Sequence, residues 1–395
     1  DETQGMWFQS LKDGVYYMPD KTSQSIDLNS EVFSMALDSV AKQLYISLGN
    51  WEVYQLIHSP KGVEFREIAG QYKSRSYLNF DHQKACLNIF SERSMHHFMY
   101  CNDNLYPSIS MIGGGIRQTT LRNDTLYAVG SLGLSVSTKD SLIFSSPVSK
   151  QFLGACLLSV PHLPLLIGTD KGLKKLDGFE LQPWISDTLL SCSITALIDY
   201  KDVLLVGNKS HGIFVLNDSV VYDQITIQDG LSSNLIRTLF VDSENQLWAA
   251  TNQGLNKIEY QPSLKSKSVQ IKNHKQGLVS NDITAIQEID GYLIVGTKNG
   301  LTKIDLANQA KYPPRPSLYF LAMKINNKLV DLNTSYTLKH HQNSLFFKYL
   351  ALDNRSFGDF KFEYRLIGVD SSWIFTDNQE LFFSGLKPGN YQLEL

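Results

Sequence analysis

The sequence predicts an all-β protein in which a β-propeller of seven blades is followed by a small Ig-like β-sandwich. A short apolar pattern recurs with a period of about forty residues, which is typical of propeller blades. Around each copy the apolar residues fit short strands and not the 3.6-residue period of helices. The pattern ends near residue 310, where the proline-rich segment "KYPPRPSLYF" indicates a rigid linker into a second domain.

Each copy contains two apolar strands joined by a turn that ends in glycine, as in "QLWAATNQGLNKI" and "YLIVGTKNGLTKI". This arrangement predicts a β-hairpin whose glycine has a positive φ, a conformation that glycine adopts without steric cost. We expect it at Gly133, Gly172, Gly254 and Gly300. With one degenerate copy (86–100) there are eight copies, at residues 6–18, 44–56, 86–100, 126–137, 165–176, 204–216, 247–258 and 293–304.

These copies place the propeller at residues 1–310, built from about eight repeats of which the first is incomplete, and the sandwich at residues 311–395. The chain begins with "DETQGMW", inside the turn of a blade, and ends with "YQLEL", before the expected last strand of the sandwich. We therefore expect both ends to be truncated. If the first copy completes a blade of a preceding ring, seven blades are left here. A single ring of eight blades is the alternative.

Composition narrows the classes of function. The net charge is −3 and the charged residues are interleaved, so no basic block indicates nucleic-acid binding. No apolar run approaches the roughly 18 residues of a membrane span, and the chain does not open with a signal peptide. The cysteines lack any CxxC spacing, which favours buried thiols over disulfides or a metal site at Cys86, Cys101, Cys156 and Cys192.

The repeats resemble those of the two-component regulator propeller family. The best match is "GLSSNLIRTLFVDSENQLWAATNQGLNKI" (230–258), followed by "GLVSNDITAIQEIDGYLIVGTKNGLTKI" (277–304). The last segment resembles the Y_Y_Y domain, a small β-sandwich that follows such propellers in sensor proteins. The residues that carry this second resemblance are "FEYRLIGVDSSW" (362–373) and "LKPGNYQLEL" (386–395). By the same resemblance, Trp373 occupies a core position of the sandwich.

The resemblance implies the periplasmic sensor region of a membrane-anchored hybrid histidine kinase. Such a region binds an oligosaccharide or polysaccharide fragment and signals across the membrane, so that the kinase regulates transcription of glycan-utilisation genes. We accordingly expect an oligosaccharide ligand, a homodimer and the rest of a sensor chain as partners, with no cofactor and no nucleic acid. The fragment itself is then not an enzyme. Two alternatives stay open: a secreted propeller enzyme (a glycan lyase or hydrolase) and a non-catalytic dimerisation scaffold.

Candidate ligand-binding residues come from loops, because propellers bind ligands at one mouth of the ring. Sugars are held by aromatic faces combined with planar polar groups. The segment "GQYKSRSY" brings two tyrosines and an arginine together, and "LGNWEVY" replaces the usual glycine region with tryptophan. The predicted site residues are Trp51, Tyr72, Arg75, Tyr77, Trp184 and His211.

No catalytic or metal-binding residues are predicted. "DSENQLW" lacks the glycine of a sialidase Asp-box, so Asp242 is interpreted as a turn residue and Trp248 as packing between blades. The pairs His96–His97 and His340–His341 have no third ligand at a recognisable spacing, and we expect them to be solvated or at strand edges. The segment "MIGGGIRQ" (111–118) is interpreted as a loop between blades.

Overall fold

The computed structural model describes residues 6–10, 14–18, 23–59, 62–69, 75–92, 96–109, 115–138, 141–146, 152–185, 188–308, 317–332, 336–352 and 362–395. The chain divides into two compact units. One comprises residues 21–309, and the other comprises residues 1–20 together with residues 310–395. Both units are built almost entirely from antiparallel strands.

The chain starts with a hairpin of β1 (Met6–Ser10) and β2 (Gly14–Met18), followed by β3 (Ser23–Asp27). The next strands form three sheets of four: blade 1, with β4 (Val32–Asp38), β5 (Gln43–Leu48), β6 (Val53–Ser59) and β7 (Gly62–Ala69); blade 2, with β8 (Ser76–Asp81), β9 (Cys86–Ser91), β10 (His96–Cys101) and β11 (Asn104–Ile109); and blade 3, with β12 (Ile116–Arg122), β13 (Thr125–Gly130), β14 (Gly133–Ser137) and β15 (Leu142–Ser145).

Three further blades repeat this order: blade 4, with β16 (Gly154–Leu158), β17 (Leu166–Thr169), β18 (Gly172–Asp177) and β19 (Glu180–Pro183); blade 5, with β20 (Ile194–Tyr200), β21 (Val203–Asn208), β22 (Ile213–Asn217) and β23 (Val220–Ile225); and blade 6, with β24 (Ile236–Val241), β25 (Leu247–Thr251), β26 (Leu255–Gln261) and β27 (Ser266–Lys272). Blade 7 contains β28 (Ile283–Ile289), β29 (Tyr292–Thr297), β30 (Gly300–Asp305) and, outermost, β3.

The seven sheets of the described residues close into a ring. The first strands of consecutive blades are neighbours throughout, and β28 of blade 7 lies beside β4 of blade 1. Closure is completed by β3, which pairs with β30 from Ser23 opposite Ile304 to Asp27 opposite Gly300. The fold is therefore the predicted β-propeller, with seven blades. The hairpin β1–β2, expected as an incomplete first repeat within residues 1–310, instead forms a separate two-stranded sheet in the other unit.

The recurring threonine and glycine have a shared structural role. In the turn of blade 6, the Thr251 hydroxyl donates to the carbonyl of Gly254 (2.9 Å) and accepts from the backbone N–H of Gln253 (3.0 Å). Blades 4 and 7 repeat this bond from Thr169 and Thr297. The positive φ predicted for the turn glycines is confirmed, at 99°, 106°, 142° and 152° for Gly133, Gly172, Gly254 and Gly300.

The aspartate and tryptophan of "DSENQLW" are also structural. The buried Asp242 carboxylate accepts from the backbone N–H groups of Glu244 and Gln246 and from the Trp248 indole N–H (2.7 Å). Trp248 is 2% exposed and packs with Leu278 and Ile283 at the start of blade 7. The interpretation of "DSENQLW" as a blade turn with inter-blade packing is confirmed.

Short 3₁₀ helices shape the linkers on either side of blade 6. Ile227–Asp229 is closed by a capping box from Thr226 and ends at Gly230, whose φ is 106°. His274–Gln276 repeats the arrangement with Asn273 and Gly277. The leucine after each glycine is buried, which explains the "GL" that opens both repeats: these residues are Leu231 and Leu278. None of the described helices has the length or apolar character needed to cross a membrane.

The cysteine prediction was wrong for one pair. Cys86 at the start of β9 and Cys101 at the end of β10 are joined by a disulfide, with Cα atoms 4.7 Å apart. Because Tyr100 pairs with Leu87, the two cysteines lie directly opposite on adjacent antiparallel strands. Strand register brings them together, and the spacing of cysteines in the sequence does not reveal register. Cys156 is a buried thiol as predicted, and Cys192 is free and partly buried.

The C-terminal unit contains a sandwich of two sheets. Its strands are β31 (Ser317–Ile325), β32 (Lys328–Val330), β33 (Leu345–Leu352), β34 (Phe362–Ile367), β35 (Asp370–Thr376), β36 (Glu380–Phe383) and β37 (Gln392–Glu394), in the orders β32-β31-β33-β36 and β35-β34-β37. Tyr349 and Leu381 from one sheet pack with Phe362 from the other. Trp373 does not belong to this core, contrary to expectation. It lies on the edge strand β35, is 45% exposed, and stacks under the Arg365 guanidinium.

The expectation of solvated or edge histidines was wrong for His97 and fits His340 and His341, which are exposed. In β10, the partly buried His97 ring stacks on Phe90 (4.4 Å) and its Nε2 bonds to Asn88 Oδ1 (2.9 Å). Burial, together with the charge of Lys84, lowers the pKa of His97 to about 4. The side chain of His96 and residues 111–114 of "MIGGGIRQ" lie outside the described part of the chain.

The lowered pKa of His97 predicts a specific loss of stability in acid. The unfolded chain, with an ordinary pKa of about 6.5, takes up the proton first. The contribution of neutral His97 is therefore complete above about pH 6.5 and is lost as the pH falls toward about 4. We expect roughly 2 kcal/mol, since each pKa unit corresponds to about 1.4 kcal/mol and solvent screens a half-buried group. Urea denaturation between pH 8 and pH 4 should show a weaker pH dependence in His97→Gln than in the exposed control His82→Gln. Equal slopes would contradict the assignment.

Ring closure by β3 predicts an asymmetric response within that strand. Ile26 packs on the core between blades 7 and 1, whereas Gln24 is exposed. Ile26→Asp should lower the free energy of unfolding by roughly 2–4 kcal/mol, because it places an unpaired charge against that core. Gln24→Asp, the same change two residues away, should stay within about 0.5 kcal/mol of the wild type. Calorimetry measures both, and similar effects would mean that β3 does not hold the ring closed.

Candidate functional site

The described candidate residues all belong to one face of the ring. In blade 1, Val32 pairs with Leu48, and Val53 pairs with Ala69. The start of the first strand, the turn between the second and third strands, and the end of the fourth strand therefore share one edge. Hydrogen bonds join the same edge of neighbouring blades, such as Thr284 Oγ1 to the Val32 carbonyl (2.5 Å). We call the face formed by these edges the mouth face.

A β-bulge marks the start of the first strand in six of the seven blades. Such bulges re-aim side chains, and here the bulged residue reaches the next blade. Thr195 donates to the Ile236 carbonyl (2.7 Å), and Arg237 bonds both carboxylate oxygens of Asp282 (3.0 and 3.1 Å). The mouth face is thus held together by bonds between blades.

Arg75 and Tyr77, predicted together, do lie together and share a partner that the sequence analysis missed. Tyr77 of blade 2 packs its ring on Phe33 of blade 1, with centroids 4.8 Å apart. The Arg75 guanidinium lies over the same Phe33 ring, 5.4 Å from its centroid. Phe33 occupies in its blade the position that Tyr77 occupies in blade 2, so aligning the repeats would have found it.

The Glu31 carboxylate connects three blades through two ion pairs. Glu31 of blade 1 bonds Lys298 of blade 7 (2.5 Å) and forms an ion pair with Arg75 of blade 2 (3.7 Å). The Glu31 side chain is 12% exposed, whereas those of Lys298 and Arg75 are 38% and 43% exposed. We call Glu31, Phe33, Arg75, Tyr77 and Lys298 the mouth cluster.

Tyr77 is a partly buried member of the predicted set. Burial raises the pKa of its hydroxyl, while the positive charges of Arg117 and Arg75 oppose that rise. Arg117, from the bulge of blade 3, also hydrogen-bonds the hydroxyl. Tyr77 is therefore held in one orientation at the junction of blades 1, 2 and 3.

Trp51 has an unusual backbone for its residue type. It lies in the turn between β5 and β6, has a φ of 79°, and its side chain is 48% exposed. A left-handed conformation costs a non-glycine residue about 1–2 kcal/mol. Five other blades place glycine in this turn at a positive φ: Gly133, Gly172, Gly212, Gly254 and Gly300. The turn adjoins the mouth cluster, because the N–H of Gly49 donates to the carbonyl of Glu31 (2.7 Å).

Trp184 and His211 lie on the mouth face at blades 4 and 5, whereas the mouth cluster is formed by residues of blades 7, 1 and 2. Trp184 is half-buried and packs with Leu173 and Phe214; within the described residues its buried indole N–H has no hydrogen-bond partner. His211 is exposed, with Nδ1 2.8 Å from Ser210 Oγ and its ring stacked on Phe214. Tyr72 lies outside the described residues. Within those residues, no group of three His, Cys, Asp or Glu side chains is placed to hold a metal ion.

Comparison with known protein families confirms both resemblances found in the sequence. Residues 230–253 match the family described as "Two component regulator propeller", and residues 353–395 match the Y_Y_Y domain. The first match covers one blade linker and the β24–β25 hairpin. The second begins directly after β33 and covers the sandwich strands β34 to β37.

Three known proteins are similar to this chain, each over a different share of its length. Histidine kinase P4 of Formosa agariphila is 21% identical over 78% of this chain, which spans only 23% of that kinase. The extracellular domain of a B. thetaiotaomicron protein described as a hybrid two component system is 14% identical over 91% of this chain and 64% of that one, with a TM-score of 0.39. Streptogramin B lyase is 10% identical over 72% of this chain and 96% of its own, with a TM-score of 0.54. The last likeness shows the propeller fold alone. The chain thus carries a two-component regulator propeller repeat in a seven-bladed ring, followed by a Y_Y_Y domain.

Proposed function

We propose that this chain is the extracytoplasmic, periplasmic sensor region of a membrane-anchored hybrid two-component system. It binds an oligosaccharide and signals to a histidine kinase that regulates transcription of glycan-utilisation genes. The two family matches and the similarity to a histidine kinase support the sensor role. The ligand is proposed from the chemistry of the mouth face.

The observation that carries the ligand proposal is the mouth cluster. It combines two aromatic rings, one guanidinium and one ammonium at the junction of three blades. Aromatic faces with a few oriented polar groups are the usual means of holding a sugar. The partners are fixed by inter-blade contacts, so little side-chain freedom is lost when a ligand binds.

The disulfide supports the proposed location. Disulfides persist in oxidising compartments such as the periplasm and are rare in the reducing cytosol. The Cys86–Cys101 bond lies in blade 2, whose fourth strand leads into the rest of the ring. An extracytoplasmic propeller would keep this bond, whereas a cytosolic one would tend to lose it.

Titration calorimetry against a panel of plant and algal oligosaccharides tests the proposal. At least one oligosaccharide should bind, and Arg75→Ala should weaken it by about tenfold or more, as expected for loss of a charge-assisted contact. The control is Arg237→Ala, which removes a guanidinium from the same face at blade 6 and should change affinity by less than about twofold. Binding that both variants leave intact would place the site elsewhere.

The competing functions give different readouts in the same samples. Release of new reducing ends would identify a glycan lyase or hydrolase, and would contradict a purely sensory role. Absence of heat with every member of the panel would favour a dimerisation scaffold. The homodimer stays a prediction, and sedimentation velocity of the chain with and without ligand measures it.

A further inference from the structure

The mouth cluster presents positive charge to solvent although it contains a carboxylate. The Glu31 side chain is 12% exposed, and its two cationic partners are each more than a third exposed. The carboxylate is thus the least exposed of the three charged groups, and the ammonium of Lys298 and the guanidinium of Arg75 are both more open to solvent. Its negative charge therefore serves mainly to hold the two cations together, which come from blades on opposite sides of blade 1.

An exposed indole belongs to a strained turn whose backbone is hydrogen-bonded to Glu31. Trp51 has a φ of 79° in a turn where five other blades have a glycine at positive φ, one residue later in register, and nearly half of its side chain is exposed. Backbone strain of this kind persists where the surrounding structure imposes it, and it clusters at ligand-binding sites. The Gly49–Glu31 hydrogen bond fixes this turn against the residue that holds the two cations. Charge and indole are thus positioned by the same short segment of blade 1.

We propose that the mouth cluster and Trp51 together bind an acidic sugar, in which a pyranose ring carries a carboxylate or sulfate group. The apolar face of the ring stacks on the Trp51 indole, and the anion pairs with Arg75 and Lys298. A neutral sugar would make no use of the exposed positive charge, and a simple anion would make no use of the indole. This inference rests on the proposed function and names the class of its ligand.

Affinity electrophoresis tests the proposal with defined polymers. Native gels containing polygalacturonate, alginate or chondroitin sulfate are compared with gels containing the neutral polymers galactan or laminarin. At least one acidic polymer should retard the protein and neither neutral polymer should. Arg75→Gln and Lys298→Gln should each weaken the retardation by about tenfold. Lys209→Gln, at the matching turn position of blade 5, should change it by less than about twofold.

Each other result has a separate meaning. Retardation by neutral polymers alone overturns the acidic ligand but leaves a glycan sensor in place. Equal retardation of wild type and Arg75→Gln by an acidic polymer moves the site away from the mouth cluster. If inorganic sulfate competes for the site as strongly as the polymer binds it, the site recognises a simple anion and the proposed sugar ligand is wrong. No retardation by any polymer contradicts both this inference and the proposed function.

Substitutions of Trp51 distinguish the effect of losing its contact with the ligand from the effect of its backbone strain. Trp51→Ala and Trp51→Gly both remove the indole, so both should abolish retardation by the acidic polymer, while Trp51→Phe should keep part of it. Glycine adopts a positive φ freely and alanine does not. Trp51→Gly should therefore melt roughly 2–4 °C above Trp51→Ala in calorimetry. If the acidic polymer retarded Trp51→Ala as strongly as the wild type, Trp51 would not belong to the site.

Discussion

The structure depends on one hydrogen-bonded seam, in which β3 supplies the outermost strand of blade 7. Each blade buries its faces only against its neighbours, so an open stack would leave two apolar ends in water. The seam removes those ends by joining the first described strand of the propeller unit to its last hairpin. Ile26 and Leu28 of this segment pack on the core that blades 7 and 1 share. The mouth cluster crosses the same junction, since Lys298 belongs to blade 7 and Glu31 to blade 1.

Within the closed ring, structural and functional chemistry occupy different residues of the same repeat. The recurring threonine and glycine satisfy backbone groups of the turns, and in blade 6 Asp242 and Trp248 do the same for the blade turn and pack between blades. The candidate site uses positions where a blade departs from the pattern, as in the turn of blade 1, which has Trp51 at a positive φ and Glu52 in the position of the repeat glycine. The residues that depart from the repeat are therefore the more informative ones for function. The residues that follow the repeat are the more informative ones for fold.

This division explains what the sequence could predict. Blades 6 and 7 were predictable because their turns carry the full Thr–x–x–Gly pattern, and Arg75 and Tyr77 because they are close in the chain. Phe33 and Lys298 were missed because they come from other blades, more than forty and two hundred residues away. The Cys86–Cys101 bond depends on the register of β9 against β10. The exposure of Trp373 depends on its place in an edge strand. Neither register nor strand order can be read from local periodicity.

The direction of the seam determines how the propeller unit responds to tension. Because β3 and β30 are antiparallel, Ser23, where the unit enters the seam, lies opposite Ile304, where it leaves. A force pulling these two points apart loads the hydrogen bonds one after another, from Ser23 toward Asp27, and does not shear them all at once. Opening the seam would peel away one strand while leaving the six intact four-stranded blades paired within themselves. The opening would therefore travel toward Asp27 and Gly300, and would reach the Glu31–Lys298 ion pair of the mouth cluster last.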